Sequence, residues 1–456
     1  MTTTQQLFGT DGVRGLANVE PVTPETVLRL GQALAQVLAQ RSGAGRPCIV
    51  IGRDTRRSGD MLEAALVAGV TSMGVDVWIA GVLPTPAIAL LTRDLPADAG
   101  VVVSASHNFF QDNGIKLFAT TGFKLPDDVE LAIEAVVLDR GSAPQRPTGA
   151  GVGRATSLHD AAERYLEHLR RVLPTAVRLD GLRVVLDCAH GAAYRVGPEV
   201  FGALGADVVA IGVEPDGTNI NADCGALHPQ QLQAAVRARR AQLGVALDGD
   251  ADRLILVDEA GEVVDGDELL AMFASDMLEH GTLREATVVA TVMSNLGLEI
   301  ALRARSARLV RTAVGDRYVV EAMQHGGYNL GGEQSGHLIL LDHGTTGDGL
   351  AAALRAASLM KARQRPLGEL KRVMTKLPQV LVNIRVARRG DLDTLPAVRE
   401  VVEHVRATLK AQGRVLVRYS GTEPLVRVMV EGEDATQVDV YARQIAATIQ
   451  QALGRA

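Results

Sequence analysis

Aromatic side chains are scarce in this sequence: Phe, Tyr and Trp together make up 3% of its 456 residues. Such scarcity argues against the aromatic platforms on which proteins stack single-stranded nucleic acid. Basic residues are not in excess either, since 47 Lys and Arg stand against 53 Asp and Glu and give a net charge of −6. We therefore expect no nucleic-acid partner, although a local basic pocket could still bind a small phosphate.

Cysteines and long apolar runs are also rare. Cys48, Cys188 and Cys224 lie far apart and form no Cys-x-x-Cys pair, which argues against a disulfide framework and a thiolate zinc site. No stretch approaches the roughly 18 apolar residues of a membrane span. The first residues lack the basic and apolar regions of a secretory signal. These absences predict a cytosolic protein without a membrane partner.

The chain does contain enough apolar sequence for several cores. Apolar residues make up 47% and charged residues 22%, which is typical of globular proteins, and roughly 150 residues per domain allows about three domains or four smaller ones. Short apolar runs alternate with helical patterns such as Thr26–Gln40, which predicts α/β units with buried, largely parallel sheets. The expected strands are Cys48–Ile51, Gly100–Val103, Arg183–Leu186, Val208–Ile211, Gly244–Leu247, Leu254–Val257, Thr287–Val292 and His337–Leu341.

The pattern changes in the last part of the chain. Two neighbouring strands without a helix between them are expected there, which favours a small α+β domain with an antiparallel sheet. The expected elements are the strand Gln379–Val386, the helix Leu395–Ala411, the strands Arg414–Tyr419 and Leu425–Glu431, and the helix Gln437–Leu453. Earlier in the chain, the Gly-, Pro- and Arg-rich stretch Gly141–Arg154 is expected to be a linker.

Three aspartates, Asp248, Asp250 and Asp252, alternate between two apolar strands. Carboxylates this close repel one another, so a cation is expected among them, and oxygen ligands alone suit Mg²⁺ or Ca²⁺. An EF-hand begins with the same spacing, but Arg253 stands where its turn needs glycine, and a haloacid-type phosphatase would need threonine at Asp252. A divalent metal site is favoured over the alternative, a solvated acidic turn.

A candidate nucleophile follows the expected strand Gly100–Val103. Ser104, Ser106 and His107 come directly after it. Lys116 comes shortly afterwards, and a serine beside an imidazole and a lysine suits nucleophilic and proton-transfer chemistry. The spacing alone does not choose between the two serines. The Gly-x-Ser-x-Gly motif of α/β-hydrolases is absent, which disfavours that class.

Further polar loops suit the two ends of a phosphosugar. The loop between the last two expected strands could enclose a phosphate with side-chain hydroxyls, the exposed backbone of a glycine and the guanidinium of an arginine. The residues of this loop are Arg418, Ser420, Gly421 and Thr422, and Arg427 offers a second guanidinium. Glu333, Ser335 and His337 offer groups that suit sugar hydroxyls. Arg14 lies among glycines as a candidate phosphate neighbour, although each of these segments taken alone could be a polar turn.

Together these loops describe phosphoryl transfer within a phosphosugar. A metal on the aspartates would neutralise a phosphoryl group on a nearby serine, while the arginine loop would hold a second phosphate. The motifs that support this interpretation are Phe8–Gly12, Ser106–Asn108, Asp248–Arg253 and Arg418–Pro424. On these motifs, in this order, the chain resembles the α-D-phosphohexomutase superfamily over essentially its whole length. Gly332–His337, with glutamine after the glutamate, is similar to the amino-sugar branch.

The resemblance implies an α/β fold of four domains around a central cleft. Three related α/β domains with mixed sheets would be followed by a smaller, mobile C-terminal α+β domain. The expected boundaries are 1–152 for the domain with the serine loop, 153–255 for the metal loop, 256–370 for the sugar loop and 371–456 for the phosphate loop. The sequence is compatible with a homodimer.

The resemblance also implies roles for individual residues. Ser106 would carry the phosphoryl group, and Mg²⁺ would be held by the three aspartates and an oxygen of that group. His107 and Lys116 are the candidates for proton transfer, with Arg14 as electrostatic support. The residues implied to contact the sugar or its phosphates are Glu333, Ser335, His337, Arg253, Arg418, Ser420, Gly421, Thr422 and Arg427.

The implied reaction is the reversible interconversion of glucosamine 6-phosphate and glucosamine 1-phosphate. A glucosamine 1,6-bisphosphate intermediate would turn end for end between two phosphoryl transfers. The alternatives are a mutase for neutral hexose phosphates, a sugar-phosphate-binding protein without catalysis, and a metal-dependent phosphatase.

Two residues depart from the superfamily pattern. Phe109 stands where proline is usual, so the serine loop is expected to be less preorganised because its φ is no longer fixed. Ala251 replaces a common glycine in the metal loop, and we expect it to have a negative φ, which an alanine needs to avoid strain. Neither change removes a nucleophile or a carboxylate, so activity is still expected.

The Ser106→Ala variant is expected to lose nearly all turnover while keeping its fold, because the substitution removes only one hydroxyl. Turnover and the circular-dichroism spectrum of the two proteins test this expectation. Full activity of the variant would remove Ser106 from the mechanism.

Overall fold

The computed structural model describes residues 7–9, 11–41, 45–139, 145–173, 177–387, 390–419 and 425–454. Within these ranges four β-sheets follow one another along the chain, with six, five, four and three strands. The expected series of α/β units followed by a smaller α+β unit is confirmed. None of the helices in these ranges is long and apolar enough to span a bilayer.

The first sheet is mixed. Its segment contains β1 (Val13–Leu16), α1 (Pro24–Arg41), β2 (Cys48–Arg53), α2 (Gly59–Ser72), β3 (Asp76–Val82), α3 (Thr85–Asp94), β4 (Ala99–Val103), β5 (Asp112–Ala119), α4 (Asp127–Leu138) and β6 (Ala155–Ser157). The strand order is β1-β5-β4-β2-β3-β6. β2 runs parallel to β3 and β4, whereas β5 runs antiparallel to β4 and β1. The apolar β4 is buried throughout, as expected of a strand covered on both faces.

The second sheet ends in a hairpin that positions the aspartates. Its segment contains α5 (Ala161–Arg170), β7 (Arg183–Asp187), α6 (Val196–Ala203), β8 (Asp207–Ile211), α7 (Gln230–Arg239), β9 (Leu243–Leu247), β10 (Leu254–Val257) and β11 (Val263–Val264), in the strand order β11-β10-β9-β7-β8. β9 and β10 are antiparallel, with Leu247 opposite Leu254. The six residues between them therefore form one compact connection at the end of the sheet.

The third segment contains α8 (Gly266–Glu279), β12 (Thr287–Thr291), α9 (Leu296–Arg303), β13 (Arg308–Thr312), α10 (Asp316–Gly326), β14 (Leu330–Gly332), β15 (Leu338–Leu340), α11 (Gly349–Arg363) and α12 (Leu367–Leu370). Its sheet has the order β13-β12-β14-β15. β14 and β15 form an antiparallel hairpin in which Gly332 lies opposite Leu338, so the expected sugar loop is the turn of this hairpin.

The fourth segment is built from β16 (Gln379–Arg385), α13 (Pro396–Leu409), β17 (Gly413–Tyr419), β18 (Leu425–Gly432) and α14 (Ala435–Leu453). Its antiparallel sheet has β18 in the centre. The apolar side chains of this segment form a core of their own. Its contacts with the third segment include polar ones, such as the Leu296 N–H to the buried Glu431 carboxylate at 3.2 Å.

The structure also contains β5, a strand that the sequence analysis did not predict, and pairing with neighbouring strands explains it. β5 opens with Asp112, Asn113 and Gly114, which are rare in strands, but the pairing of these three residues with β1 outweighs that preference, and the rest of β5 pairs with β4. The sheets are mixed rather than largely parallel because β5 and the hairpins add antiparallel strands. Of the expected linker, residues 145–154 contain no α-helix or strand, and residues 141–144 lie outside the described ranges.

Two sheets continue beyond the domain boundaries expected from the sequence. β6, which lies past residue 152, pairs with β3 in the first sheet, and β10 and β11 carry the second sheet past residue 255 to Val264. Backbone pairing decides where a sheet ends, and composition does not report it. The three domain boundaries stay predictions.

The crossing of α1 and α2 depends on two glycines. A methyl group at Gly69 would lie 2.2 Å from the Leu28 carbonyl oxygen, and one at Gly31 would lie 2.6 Å from the Leu66 carbonyl oxygen. Backbone atoms cannot move aside as flexible side chains do, so only glycine allows these helices to approach so closely.

We expect Gly69→Ala to destabilise the protein by about 1–3 kcal/mol, because the added methyl group overpacks a buried helix crossing. Gly202→Ala is the matched control: Gly202 is an exposed helical glycine with no atom near its missing Cβ. Alanine there should leave the melting temperature unchanged or raise it, because alanine favours the helix. Equal melting temperatures for the two variants would contradict the tight crossing.

Candidate active site and metal centre

The serine loop after β4 meets the aspartate loop between β9 and β10. Ser106 Oγ donates to Asp248 Oδ2 at 2.6 Å, and the serine is 1% exposed. The two backbones also touch, since a Cβ at Gly249 would lie 2.6 Å from the Ser106 carbonyl oxygen. Glycine is therefore required at this position for the loops to approach so closely. The structure brings the expected nucleophile against the expected metal loop.

The three aspartates are buried together, and one oxygen of each lies within 4.8 Å of the others. Burial raises the pKa of Asp248 to about 8, and the nearby carboxylates of Asp252 and Asp250 add to this effect. Lys116 lies among them: its Nζ donates to Asp250 Oδ2 at 2.8 Å and to Asp252 Oδ2 at 3.0 Å. The expected repulsion is therefore partly balanced by an ammonium group from β5.

The donor set fits a divalent metal ion. Asp250 Oδ1 is buried and accepts no hydrogen bond from any described residue. Asp250 Oδ2 accepts from Thr85 Oγ1 at 2.6 Å, which fixes the carboxylate while Oδ1 keeps its lone pairs. Hard divalent cations take carboxylate oxygens of this kind. The triad of Asp248, Asp250 and Asp252 could therefore hold a divalent metal ion.

The turn that carries the triad corrects one expectation. Ala251 has a left-handed backbone with φ of +58°, not the negative φ expected from the sequence. Its N–H donates to the Asp248 carbonyl at 3.0 Å, and its carbonyl accepts from Gly349 N–H at 3.0 Å. A left-handed alanine costs roughly 1–2 kcal/mol, and these bonds together with a completely buried methyl group hold it in place.

The structure separates the two candidate serines. Ser104 Oγ donates to Asp54 Oδ2 at 2.6 Å and accepts a hydrogen bond from the Ser106 N–H at 2.9 Å, so it holds the loop and does not face the triad. Ser106 Oγ faces the triad and lies 3.4 Å from His107 Nδ1. Burial, followed by the charges of Arg253 and Arg14, lowers the pKa of His107 to about 4, so its ring is neutral at pH 7.

Asp11 is a site residue that the sequence analysis missed. It lies in the same glycine-rich segment as Arg14 and forms ion pairs with Arg14, with Lys116 at 3.3 Å and with Lys124 at 2.5 Å. Burial alone would raise the pKa of Asp11, but these three cations outweigh burial and hold it well below its usual value. Arg14, three residues further along the chain, was the sequence signal that could have identified Asp11.

The β14–β15 turn places its polar groups at two depths. Glu333 is half-buried and accepts from Gly315 N–H at 3.1 Å, and Ser335 is exposed with its Oγ 3.4 Å from Glu333 Oε2. His337 is buried and points back toward the triad, with Nδ1 3.7 Å from Asp252 Oδ1. Its Nε2 accepts from Gly347 N–H at 3.1 Å, so its proton faces Asp252.

The expected phosphate loop is described only at its two ends. Arg418 and Arg427 lie opposite each other on β17 and β18. Burial lowers the pKa of Arg418, and the charge of Arg427 adds to this effect. Like charges in register across two strands are unfavourable unless an anion lies between them. Ser420, Gly421 and Thr422 lie outside the described residues.

The fold and the serine–aspartate site together define a phosphohexomutase. Four family models of phosphoglucomutase/phosphomannomutase match the chain in order: α/β/α domain I over residues 5–143, domain II over 163–261, domain III over 265–377 and the C-terminal domain over 381–448. The chain belongs to the phosphoglucomutase/phosphomannomutase family.

Within this family the chain groups with proteins named phosphoglucosamine mutase. The protein of that name from Geotalea daltonii is 55% identical over 450 residues, which cover 99% of both chains. The one from Anaeromyxobacter sp. is 56% identical over 454 residues, which cover 99% of this chain and 96% of the relative.

Solved structures share the fold at lower identity. A phosphoglucomutase/phosphomannomutase family protein from Burkholderia thailandensis has a TM-score of 0.81 at 23% identity and covers 98% of this chain and 97% of its own. Aspergillus fumigatus N-acetylphosphoglucosamine mutase, solved in complex with GlcNAc-6P and magnesium, has a TM-score of 0.70 at 17% identity. That match covers 99% of this chain and 96% of the fungal one.

Asp250→Asn should weaken divalent-metal binding by at least about tenfold, because even residues that only support metal ligands are worth 10–100-fold in affinity. Titration calorimetry with Mn²⁺ measures the change. Asp258→Asn is the matched control, since Asp258 is an equally buried carboxylate in the turn that follows β10, and its ion pair is with Lys371. Equal Mn²⁺ affinity of the two variants would exclude the triad as the metal site.

Proposed function

We propose that this chain is a phosphoglucosamine mutase that interconverts D-glucosamine 6-phosphate and α-D-glucosamine 1-phosphate. The observation that carries the proposal is the Ser106 hydroxyl, which lies 2.6 Å from a carboxylate of a buried aspartate triad. The name shared by relatives at 54–56% identity over the whole chain supports the amino-sugar substrate. The structural relative with GlcNAc-6P and magnesium supports the substrate class and the metal.

In the proposed reaction Ser106 carries a phosphoryl group. The bond from phosphorus to Ser106 Oγ breaks as a bond to the free sugar hydroxyl forms. The proton of that hydroxyl passes to the neutral ring of His107, and the Ser106 Oγ that loses the phosphoryl group takes up a proton, for which the Lys116 ammonium is the candidate donor. Asp248, Asp250 and Asp252 would hold Mg²⁺, which supplies charge neutralisation for the transferring group. The resulting glucosamine 1,6-bisphosphate returns its other phosphate to Ser106 after turning end for end.

Turning the bisphosphate requires a distal phosphate site that accepts either end of the sugar. We assign this role to Arg418 and Arg427 with Ser420, Gly421 and Thr422. Arg14 and Arg253 would neutralise charge at the reacting phosphate, and Glu333 and Ser335 would meet the sugar. His337, which is buried beside Asp252, would support the metal loop instead. The separate core of the fourth segment supports its movement as a unit, which would let the intermediate turn without escaping.

The neighbouring hypothesis is a mutase for neutral hexose phosphates, because the matching family models carry the names phosphoglucomutase and phosphomannomutase. The two hypotheses differ only in the group at C2 of the sugar. A homodimer and a cytosolic location also stay predictions.

Kinetics decide between these substrates. With Ser106-phosphorylated enzyme and Mg²⁺, we expect kcat/KM for glucosamine 6-phosphate to exceed that for glucose 1-phosphate and mannose 1-phosphate by at least about tenfold, which corresponds to about 1.4 kcal/mol of discrimination. Free phosphate is measured in parallel. A preference for a neutral sugar would move the chain to the other branch, and release of phosphate would indicate a phosphatase.

A further inference from the structure

An arginine that the proposed chemistry does not use lies beneath the serine loop. Arg56 follows β2 and is completely buried. A guanidinium has five N–H donors, and here all five have acceptors. One donates to Asp54 Oδ2 at 2.8 Å, and the other four donate to backbone carbonyls of one loop. These carbonyls belong to Ser106, Asn108, Phe109 and Asp112.

The same group of residues holds the Ser106 backbone from both sides. The Ser106 N–H donates to Ser104 Oγ, which in turn donates to Asp54 Oδ2. The Ser106 carbonyl accepts from Arg56 Nη2 at 2.8 Å and from Asn221 Nδ2 at 2.9 Å. Ser106 has a left-handed backbone with φ of +51°. A serine keeps that conformation only where its surroundings fix it.

The register of the sheet explains how this group of residues assembles. β2 and β4 are parallel, with Arg53 opposite Val103. The residues that follow them, Asp54 and Ser104, therefore come side by side at the same edge of the sheet. Asp54 can then hold both Ser104 and Arg56, which extend to opposite sides of the Ser106 peptide.

The usual constraint on this loop is missing from the chain. Proline would fix φ after Asn108, and Phe109 does not. Instead the Phe109 carbonyl is bound by Arg56 Nη1. Because every donor of Arg56 is already used inside the protein, the guanidinium has none left for a substrate phosphate.

We propose that Arg56 is the positioning residue of phosphoryl transfer: by binding four carbonyls of the loop, it directs Ser106 Oγ at Asp248 and the aspartate triad. The inference rests on the proposed function. Arg56 acts through the backbone of Ser106 and touches neither the sugar nor its phosphates. Its loss should therefore change kcat much more than KM.

The Arg56→Lys variant tests this proposal. Lysine keeps the charge but has three N–H donors, so at most three of the five bonds can form. We expect kcat to fall by roughly 100-fold, as misplacement of a reacting group by about 1 Å can cause, with KM within about threefold of wild type. Arg53→Lys is the matched control, since Arg53 lies three residues earlier and pairs mainly with Asp60 and Glu63. The control should keep wild-type kcat and KM.

Ser104→Ala is the second variant, and it decides the question if Arg56→Lys does not fold. It removes two hydrogen bonds, the one that Ser104 Oγ accepts from the Ser106 N–H and the one that it donates to Asp54 Oδ2, and it leaves Arg56 in place. A fall in kcat of about tenfold in a variant that still folds is expected, which corresponds to the loss of one neutral hydrogen bond at the Ser106 N–H. Wild-type kcat in folded Ser104→Ala or folded Arg56→Lys would overturn the proposal, as would a rise in KM that accounts for the whole loss.

A second readout separates this inference from the proposed function. Intact-protein mass spectrometry follows phosphorylation of Ser106 by α-D-glucose 1,6-bisphosphate, which does not depend on the amino-sugar substrate. We expect slow phosphorylation of Arg56→Lys and a wild-type rate for Arg53→Lys. If wild type is phosphorylated but turns over no glucosamine phosphate, the proposed substrate is wrong while the positioning role is still tested. Equal phosphorylation rates in all three proteins would overturn the positioning role.

Discussion

The burial of three carboxylates on one hairpin turn is the constraint on which the rest of the site depends. Each buried charge loses several kcal/mol of hydration, so neighbouring elements must supply cations and donors. Lys116 comes from β5, and Thr85 from the start of α3. The antiparallel insertion of β5 between β1 and β4 is what brings the ammonium group to the aspartates. The same balance leaves carboxylate oxygens that fit a divalent metal ion.

A second constraint concerns the serine that faces this cluster. Ser106 and Ala251 both have a left-handed backbone, one in each of the two loops that meet. Neither is glycine, so hydrogen bonds from other segments must hold both conformations. Asn221, from the second segment, donates to the Ser106 and Asn108 carbonyls of the first. The hydrogen bonds that fix the conformation of the serine loop thus also join it to the second segment. A shift of that segment would therefore move the nucleophile.

Much of the fold and of the site could be predicted from local pattern. Buried strands such as β4 are unbroken apolar runs, and the spacing of Asp248, Asp250 and Asp252 already required a cation. Prediction failed where pairing outweighed local preference, as in β5. It also failed at Ala251, where bonds to Asp248 and Gly349 overrule the ordinary cost of a left-handed alanine. The supporting residues Asp54, Arg56 and Asn221 were missed because nothing in their local sequence shows which distant groups they bind.

The sequence by itself determined the chemical groups: a serine beside a histidine, three alternating aspartates, and arginines near the end of the chain. These are properties of short segments, which can be recognised in the sequence without a structure. Only the tertiary structure decided that Ser106 rather than Ser104 faces the triad, and that Lys116 lies among the aspartates. The physical reason is that these relations join residues more than a hundred positions apart. Such distances are set by strand register and by buried hydrogen bonds between segments, which no local pattern encodes.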